Sequence, residues 1–232
     1  MPTTTTKTNR KITTAAPDET RSSSFRNLYT RVLLGLQTGQ HQVLGVTSAI
    51  EGEGKTTVAS GLATALAEDG ALLGFGREPD TTLLVQANPG ALPEDPRLAL
   101  RRGPGLIEVL RGEAELDAAT RATGIDKLAV LPLGEPAHNF PLAIRNAALP
   151  EVFAELRLKY GLIVLDLPAV LNSTDTDVLA RLADQLVLVV RANVTPATLV
   201  RQALDQLEQD RLLGVVLNDS RSDLPPWLEH RL

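Results

Sequence analysis

The sequence predicts an α/β protein with a doubly wound, mostly parallel β-sheet flanked by helices. Three observations support this fold class. Short apolar runs without polar alternation recur along the chain, as in strands that are buried on both faces. Helical segments lie between them, and one run leads into a glycine-containing loop and a helix. The first of six predicted strands begins at Val43, and the others cover residues 82–85, 128–131, 161–166, 186–190 and 212–217.

Composition limits the classes of function that remain open. The chain has 232 residues, of which 43% are hydrophobic and 3% aromatic, so its core is built from Leu, Val and Ala. A net charge of −5 argues against a nucleic-acid-binding protein. The absence of cysteine excludes disulfides, thiolate zinc sites and cysteine nucleophiles. We find no apolar run of membrane-spanning length and no secretory signal, so we expect a cytoplasmic protein that reaches the membrane only through a partner.

The chain divides into one domain with a tail on each side. Residues 1–16 are rich in Thr and lack apolar periodicity, which predicts a disordered tail. Residues 17–218 form the predicted nucleotide-binding domain, and residues 219–232 are a polar second tail. The domain begins with a predicted helix to about residue 36, whose apolar residues recur at spacings of three and four. Further helices are predicted over residues 142–160, interrupted at Pro150, and from Thr195-Pro196, with Thr195 as the cap.

The order of elements over residues 43–57 is that of a phosphate-binding loop (P-loop). Glycines let the backbone turn tightly, so that several N–H groups point inward at phosphate oxygens. The helix that follows adds free N–H groups and the positive end of its dipole. The loop therefore predicts a P-loop NTPase fold that binds ATP or ADP with Mg²⁺. The residues expected to contact the nucleotide are Glu51, Gly52, Glu53, Gly54, Lys55, Thr56 and Thr57.

Two side chains of this loop have separate expected roles. Lys55 would reach the outer phosphates, and the Thr56 hydroxyl would ligate Mg²⁺. Ala49 stands where the usual pattern begins with Gly, and an ordinary glycine turn with a surface lysine is the competing interpretation. The strand before the loop and the helix after it favour the phosphate site.

Two strand ends supply further candidate ligands. Asp166 ends a buried strand, and ligands of open α/β sheets bind beyond the carboxyl ends of the strands. Asp166 is therefore a second candidate Mg²⁺ ligand, direct or through water, and the candidate catalytic residue. The competing interpretation is an Asp that caps the next turn. Asn218 ends the last strand, where its amide would meet the nucleotide base.

Together these motifs resemble the bacterial tyrosine autokinases (BY-kinases), the cytosolic ATP-binding partners of polysaccharide co-polymerases in capsule and exopolysaccharide export. The resemblance spans residues 25–218 and extends more loosely to the MinD/ParA class of deviant Walker ATPases. It implies a membrane-embedded co-polymerase as partner. The segments that carry the resemblance are 46–57, 105–112, 131–134, 165–168, 189–192 and 214–218.

The chain departs from this family at residues that serve the chemistry. The family has a second Walker-type motif with two aspartates, and the matching positions here are Gln86 and Asn88. The family also has a C-terminal tyrosine cluster, whereas this chain has only Tyr29 and Tyr160. Of the family's subunit-contact pattern in the first helix only Arg26 is kept, so homo-oligomer formation stays open. The sequence therefore predicts a nucleotide-dependent regulatory partner with reduced or absent kinase activity.

Two alternatives remain open at this stage. The first is an active kinase or ATPase that uses another carboxylate, with Glu53, Asp175 and Asp177 as candidates. The second is a positioning ATPase of the MinD/ParA type, which would need a basic surface for DNA or an amphipathic tail for the membrane.

Overall fold

Strands and helices alternate along the chain in the computed structural model. The structure describes residues 11–13, 28, 30, 32, 42–69, 81–89, 98, 103–134 and 140–219. Its strands are β1 (Lys11–Thr13), β2 (Gln42–Ser48), β3 (Thr82–Gln86), β4 (Arg121–Ala122), β5 (Leu128–Leu131), β6 (Leu162–Asp166), β7 (Gln185–Arg191) and β8 (Leu212–Asn218). Its complete helices are α1 (Lys55–Asp69), α2 (Leu106–Leu110), α3 (Leu116–Ala119), α4 (Phe140–Ala143), α5 (Leu149–Lys159), α6 (Asp175–Ala180) and α7 (Ala197–Gln206).

All strands of the described residues belong to one sheet, in the order β1-β8-β7-β2-β6-β3-β5-β4. Neighbouring strands run parallel except β4 and β5, which are antiparallel. The predicted fold class is confirmed, and the six predicted strands correspond to β2, β3 and β5 to β8. Because β2 lies between β6 and β7, the carboxyl ends of these three strands meet at one edge of the sheet.

The sheet is covered on both faces, which explains why its strands lack polar alternation. Ile163 and Val164 follow each other in β6 and point to opposite faces. Ile163 belongs to one apolar cluster with Phe153 of α5. Val164 belongs to a second cluster with Leu62 of α1. Since both faces of the central strands are buried, apolar residues are favoured at every position.

The helical region before β6 differs from the prediction at its proline. The sequence predicts one helix over residues 142–160 with an interruption at Pro150. The structure instead has the short α4, a turn, and then α5, in which Pro150 lies in the first helical turn. Proline is tolerated there because the first N–H groups of a helix have no intrahelical acceptor. Pro150 therefore marks the beginning of a helix rather than a break inside one.

The ends of the sheet hold two strands that the sequence did not predict. β1 pairs in parallel with β8, although it lies within residues 1–16, which were assigned to a disordered tail. An edge strand carries unpaired N–H and C=O groups, and a nearby extended segment can satisfy them whatever its side chains. The two-residue β4 pairs with β5 at the other end.

The predicted first helix and the C-terminal tail lie mostly outside the described residues; Leu28, Thr30 and Val32 are helical, and Leu28 and Val32 are buried.

Candidate functional site

The glycine loop joins β2 to α1 in a conformation that depends on two left-handed residues. Gly52 has a φ of 82° and Gly54 a φ of 85°, values that residues with a Cβ rarely adopt. A Cβ on Gly54 would also lie 2.1 Å from Nδ2 of Asn218. The main chain then enters α1 at Lys55, where the N–H of Val58 donates to the carbonyl of Gly54 at 3.0 Å. The first N–H groups of α1 thus face the loop without intrahelical acceptors.

The carboxylate of Glu53 holds this loop in place. Glu53 is 2% exposed, and its Oε2 accepts the N–H of Ile50 at 2.8 Å. Its Oε1 accepts the N–H of Arg191 at 3.1 Å and the hydroxyl of Thr195. The sequence assigned Glu53 to nucleotide contact or to a replacement catalytic role. Both carboxylate oxygens receive hydrogen bonds from the protein and so hold the loop, while contact of Glu53 with nucleotide stays a prediction.

Two residues predicted for other tasks also support the loop. The Nδ2 of Asn218 donates to the carbonyl oxygen of Glu53 at 2.9 Å, so this amide lies against the loop backbone; contact with a base stays a prediction. Thr195 does not cap α7, whose N-cap is Pro196 without a side-chain cap bond. Its hydroxyl turns to Glu53 instead. The sequence carried no signal for this contact, because it joins residues 142 positions apart.

Lys55 is a buried cation at the mouth of the loop. Its side chain is 4% exposed, and its Nζ lies 2.5 Å from Oε2 of Glu51, four residues earlier. The Glu51 side chain is 55% exposed. Its Oε1 also accepts the N–H of Ala169 at 3.3 Å. The predicted phosphate-binding lysine therefore lies where the loop and the segment after β6 meet.

Thr56, Asp166 and Asn88 form a polar cluster beside Lys55. The hydroxyl of Thr56 donates to Oδ2 of Asp166 at 2.8 Å, and Nδ2 of Asn88 donates to the Thr56 hydroxyl at 3.1 Å. Asp166 is 1% exposed, and its Oδ1 is buried without a hydrogen-bond partner. A buried carboxylate oxygen without a donor is suited to a cation, and carboxylate and hydroxyl oxygens are preferred ligands of Mg²⁺. Thr56 and Asp166 thus lie together, and their chemistry fits the predicted metal site.

The environment of Asp166 changes its protonation. Burial raises the pKa of Asp166 from 3.8 to about 7, while the Thr56 hydrogen bond and the positive charge of Lys55 lower this pKa. The charge of Glu51 raises it further. Without a metal ion, the carboxyl group is therefore partly protonated near neutral pH. A bound divalent cation would favour the ionised form.

The side chains next to the Asp166 carboxylate are neutral amides. Gln86 is the direct neighbour of Asp166 in the β3–β6 ladder, and both Gln86 and Asn88 are 4% exposed. The Nε2 of Gln86 is buried without a hydrogen-bond partner. Among the described residues, no group of three or more acidic, His or Cys side chains is arranged to hold a metal.

The other carboxylates suggested by the sequence have different surroundings. Asp175 forms an ion pair with Arg145, whose Nη1 lies 2.7 Å from its Oδ1. Asp177 lines a cavity with Leu186 and Arg211. Arg211 immediately precedes β8, so this cavity lies toward the amino ends of the strands, whereas the loop lies at their carboxyl ends. Of the predicted catalytic candidates, Asp166 is the one that contacts Thr56.

Comparison with curated proteins finds relatives over most of this chain. It is 31% identical over 219 residues to the succinoglycan biosynthesis transport protein ExoP of Rhizobium meliloti (strain 1021), an alignment that covers 90% of this chain and 26% of ExoP. It is 29% identical over 189 residues to the tyrosine-protein kinase CpsD of Streptococcus agalactiae, which covers 77% of this chain and 76% of CpsD. The chain thus spans about a quarter of ExoP and three quarters of CpsD. No protein-family model matches the chain.

Solved structures agree with these relatives. The VpsO kinase domain superposes with a TM-score of 0.72 at 28% identity, covering 86% of this chain and 95% of that domain. The septum site-determining protein MinD from Pyrococcus horikoshii OT3, complexed with Mg-ADP, gives a TM-score of 0.59 at 25% identity, covering 82% of this chain and 76% of the MinD chain. The fold and the glycine loop define a P-loop protein of the MinD/ParA-like class. Within this class, the chain is similar to the bacterial tyrosine kinases (BY-kinases).

Gly54→Ala is expected to destabilise the protein more than Gly112→Ala does. Gly112 also has a positive φ, of 71°, but a Cβ there would meet nothing within 4 Å. Both variants carry the left-handed strain of roughly 1–2 kcal/mol, and only Gly54→Ala adds the clash with Asn218. Urea unfolding of the two variants measures the difference. Equal losses of unfolding free energy in the two variants would show that the loop can move away from Asn218 without a cost in stability.

Asp166→Asn is expected to stabilise the metal-free protein at pH 8. The folded-state pKa of Asp166, about 7, exceeds its ordinary value of 3.8, so the folded state binds more protons between these values. Stability then falls as pH rises through that window, and the amide removes this loss. We expect a gain on the order of 4 kcal/mol at pH 8 that disappears near pH 4.

Urea unfolding across this pH range, in the presence of a chelator, measures the gain. Asp117→Asn is the control, because the Asp117 side chain is 82% exposed. Parallel stability curves for the wild type and Asp166→Asn would contradict the raised pKa.

Proposed function

We propose that the chain binds ATP or ADP with Mg²⁺ at the glycine loop and acts as a nucleotide-dependent regulatory subunit of a membrane-embedded polysaccharide co-polymerase. Its own kinase activity is reduced or absent. The observation that carries the proposal is the unpartnered, buried Oδ1 of Asp166, beside the Thr56 hydroxyl and close to Lys55. This arrangement leaves a cation-binding oxygen at the end of a loop suited to phosphates.

Each part of the site has a role in binding. The N–H groups at the start of α1 would donate to phosphate oxygens, and the Lys55 ammonium would neutralise the outer phosphates. Thr56 and Asp166 would hold Mg²⁺, directly or through water. When bound, the metal would supply positive charge that offsets the negative charge of the phosphates. The MinD relative complexed with Mg-ADP supports this choice of ligand.

The amides beside Asp166 are the reason to propose reduced kinase activity. Phosphoryl transfer depends on positioned groups that orient the nucleophile and on stabilisation of charge by metal and protein. Gln86 and Asn88 can form hydrogen bonds, but a neutral amide neither accepts a proton from a hydroxyl nor neutralises a metal. Tyr160 follows α5 and precedes β6, at the edge of the sheet opposite the glycine loop, so it is poorly placed as a phosphate acceptor.

The relatives support the proposed partner and location. ExoP, a relative, is named as a transport protein of succinoglycan biosynthesis, and this supports a role beside a polysaccharide export component. Among helices of the described residues, none is long and apolar enough to cross a bilayer. We propose that a membrane-embedded co-polymerase recruits the chain to the inner face of the membrane. Nucleic acid is not an expected partner of a chain with a net charge of −5.

Calorimetric titration of ATP and ADP with Mg²⁺ is expected to reveal binding that Lys55→Ala weakens by at least about tenfold. A charge-assisted hydrogen bond contributes about 1.5–3 kcal/mol, and each 1.4 kcal/mol is tenfold in affinity. Lys159→Ala is the matched control, because Lys159 lies at the end of α5 in an ion pair with Asp117. A wild type that binds neither nucleotide would contradict the proposal.

An active enzyme is the second candidate, and the pKa of Asp166 is the observation in its favour. With a pKa of about 7, this carboxyl group has a proton affinity suited to general acid–base chemistry. A metal ion at Asp166 would lower that pKa and remove the advantage. The other alternative, a positioning ATPase, shares the fold of MinD, but the negative net charge gives no support for a DNA-binding surface.

Phosphate release separates the regulatory subunit from the active enzyme. We expect slow or undetectable release by the wild type and a rate at least about a hundredfold higher when both amides are replaced, in Gln86→Asp/Asn88→Asp. Asp166→Ala in that double variant should abolish the gain. Rapid release by the wild type that disappears in Asp166→Ala would instead establish the active enzyme.

A further inference from the structure

Glu51 offers a carboxylate to the position where a phosphate would meet Lys55. Its Oε2 lies 2.5 Å from Lys55 Nζ. The two side chains differ in exposure, since Lys55 is 4% exposed and Glu51 is 55% exposed. Glu51 thus reaches inward from the surface of the loop to a cation that is itself buried.

A buried ammonium needs a partner of opposite charge. Leaving a charge unpaired away from water is costly, so Lys55 is stabilised by whichever anion is nearest. In the structure that anion is Glu51. Phosphate oxygens of a bound nucleotide would compete for the same ammonium, and they would also be repelled by the Glu51 carboxylate if it stayed in place.

Glu51 is tied to a second segment as well as to Lys55. Its Oε1 accepts the N–H of Ala169 at 3.3 Å, and its own N–H donates to Oδ1 of Asn172 at 3.2 Å. Both residues belong to the stretch that follows β6, the strand that ends at Asp166. Displacement of the Glu51 carboxylate would therefore break a contact with the segment next to the proposed metal ligand.

We propose that Glu51 determines the nucleotide affinity of this site by acting as an internal substitute for phosphate on Lys55. Nucleotide binding then requires that the carboxylate leave Lys55 and release the N–H of Ala169. This inference rests on the proposed function, because it concerns the same loop. It assigns to Glu51 an effect opposite to that of a nucleotide-binding residue: removing its charge strengthens binding.

The test is the dissociation constant of Mg-ADP for wild type, Glu51→Gln and Glu51→Ala, measured by calorimetry. Glu51→Gln keeps the size of the side chain and removes its charge. We expect its dissociation constant to fall about fivefold, which corresponds to about 1 kcal/mol. The affinity for Mg-pyrophosphate should rise by a similar factor, because the phosphate groups are what compete with Glu51 for Lys55. Glu113→Gln is the control, since Glu113 is 57% exposed and lies 4.0 Å from Arg111.

Thermal unfolding of the free variants distinguishes competition from a purely structural role. The loss of Glu51 leaves the Lys55 ammonium without its partner, so we expect the ligand-free variant to melt at a lower temperature than the wild type while binding Mg-ADP more tightly. A structural role alone would lower both stability and affinity. Glu51→Ala repeats the comparison without any side chain that could contact Lys55.

The possible results separate this inference from the proposed function. Tighter binding by both variants supports it, as does binding by Glu51→Gln when the wild type shows none. Wild-type binding with unchanged affinity in the variants would overturn the inference and leave the proposed function intact. Weaker binding by the variants would also overturn it and would make Glu51 a contributor to the nucleotide or metal site. The absence of binding by every protein would overturn both proposals.

Discussion

The parallel pairing of β2 with β6 is the constraint on which the site depends. Val46 lies opposite Asp166 in this ladder, so the strand that delivers the carboxylate ends two residues before the strand that leads into the glycine loop. A register shift by one residue would turn Asp166 toward the other face of the sheet. The apolar clusters on both faces fix the register, because each strand residue fits only one of them.

A small set of charges is balanced inside this frame. Glu53 receives the hydrogen bonds that shape the loop, Glu51 neutralises Lys55, and Asp166 keeps one oxygen without a donor. Glu53 therefore holds the loop in its shape before any ligand binds, Glu51 pairs with Lys55, and Asp166 remains available to a cation. Binding of nucleotide would change the partners of Glu51 and Asp166 and would leave the hydrogen bonds of Glu53 in place.

Much of the fold and part of the site could be predicted from sequence, for identifiable reasons. The six long strands have apolar runs set by burial on both faces, and Thr56 and Asp166 lie together because strand ends of a parallel sheet converge. The contacts of Glu53 with Thr195 join distant residues without any periodic pattern, so they needed the structure. Pro150 was misjudged because a proline in the first turn of a helix and one that interrupts a helix look alike in a long apolar-periodic stretch.

The shortness of the outermost strands has a consequence for how copies of the chain can associate. Within the described part of the chain, β1 has three residues and β4 has two, so these two outermost strands offer few free backbone groups. Long, open edge strands invite pairing with another chain and aggregation, and short ones resist it. Assembly with other subunits would then proceed through side-chain surfaces rather than by extending the sheet from one molecule to the next.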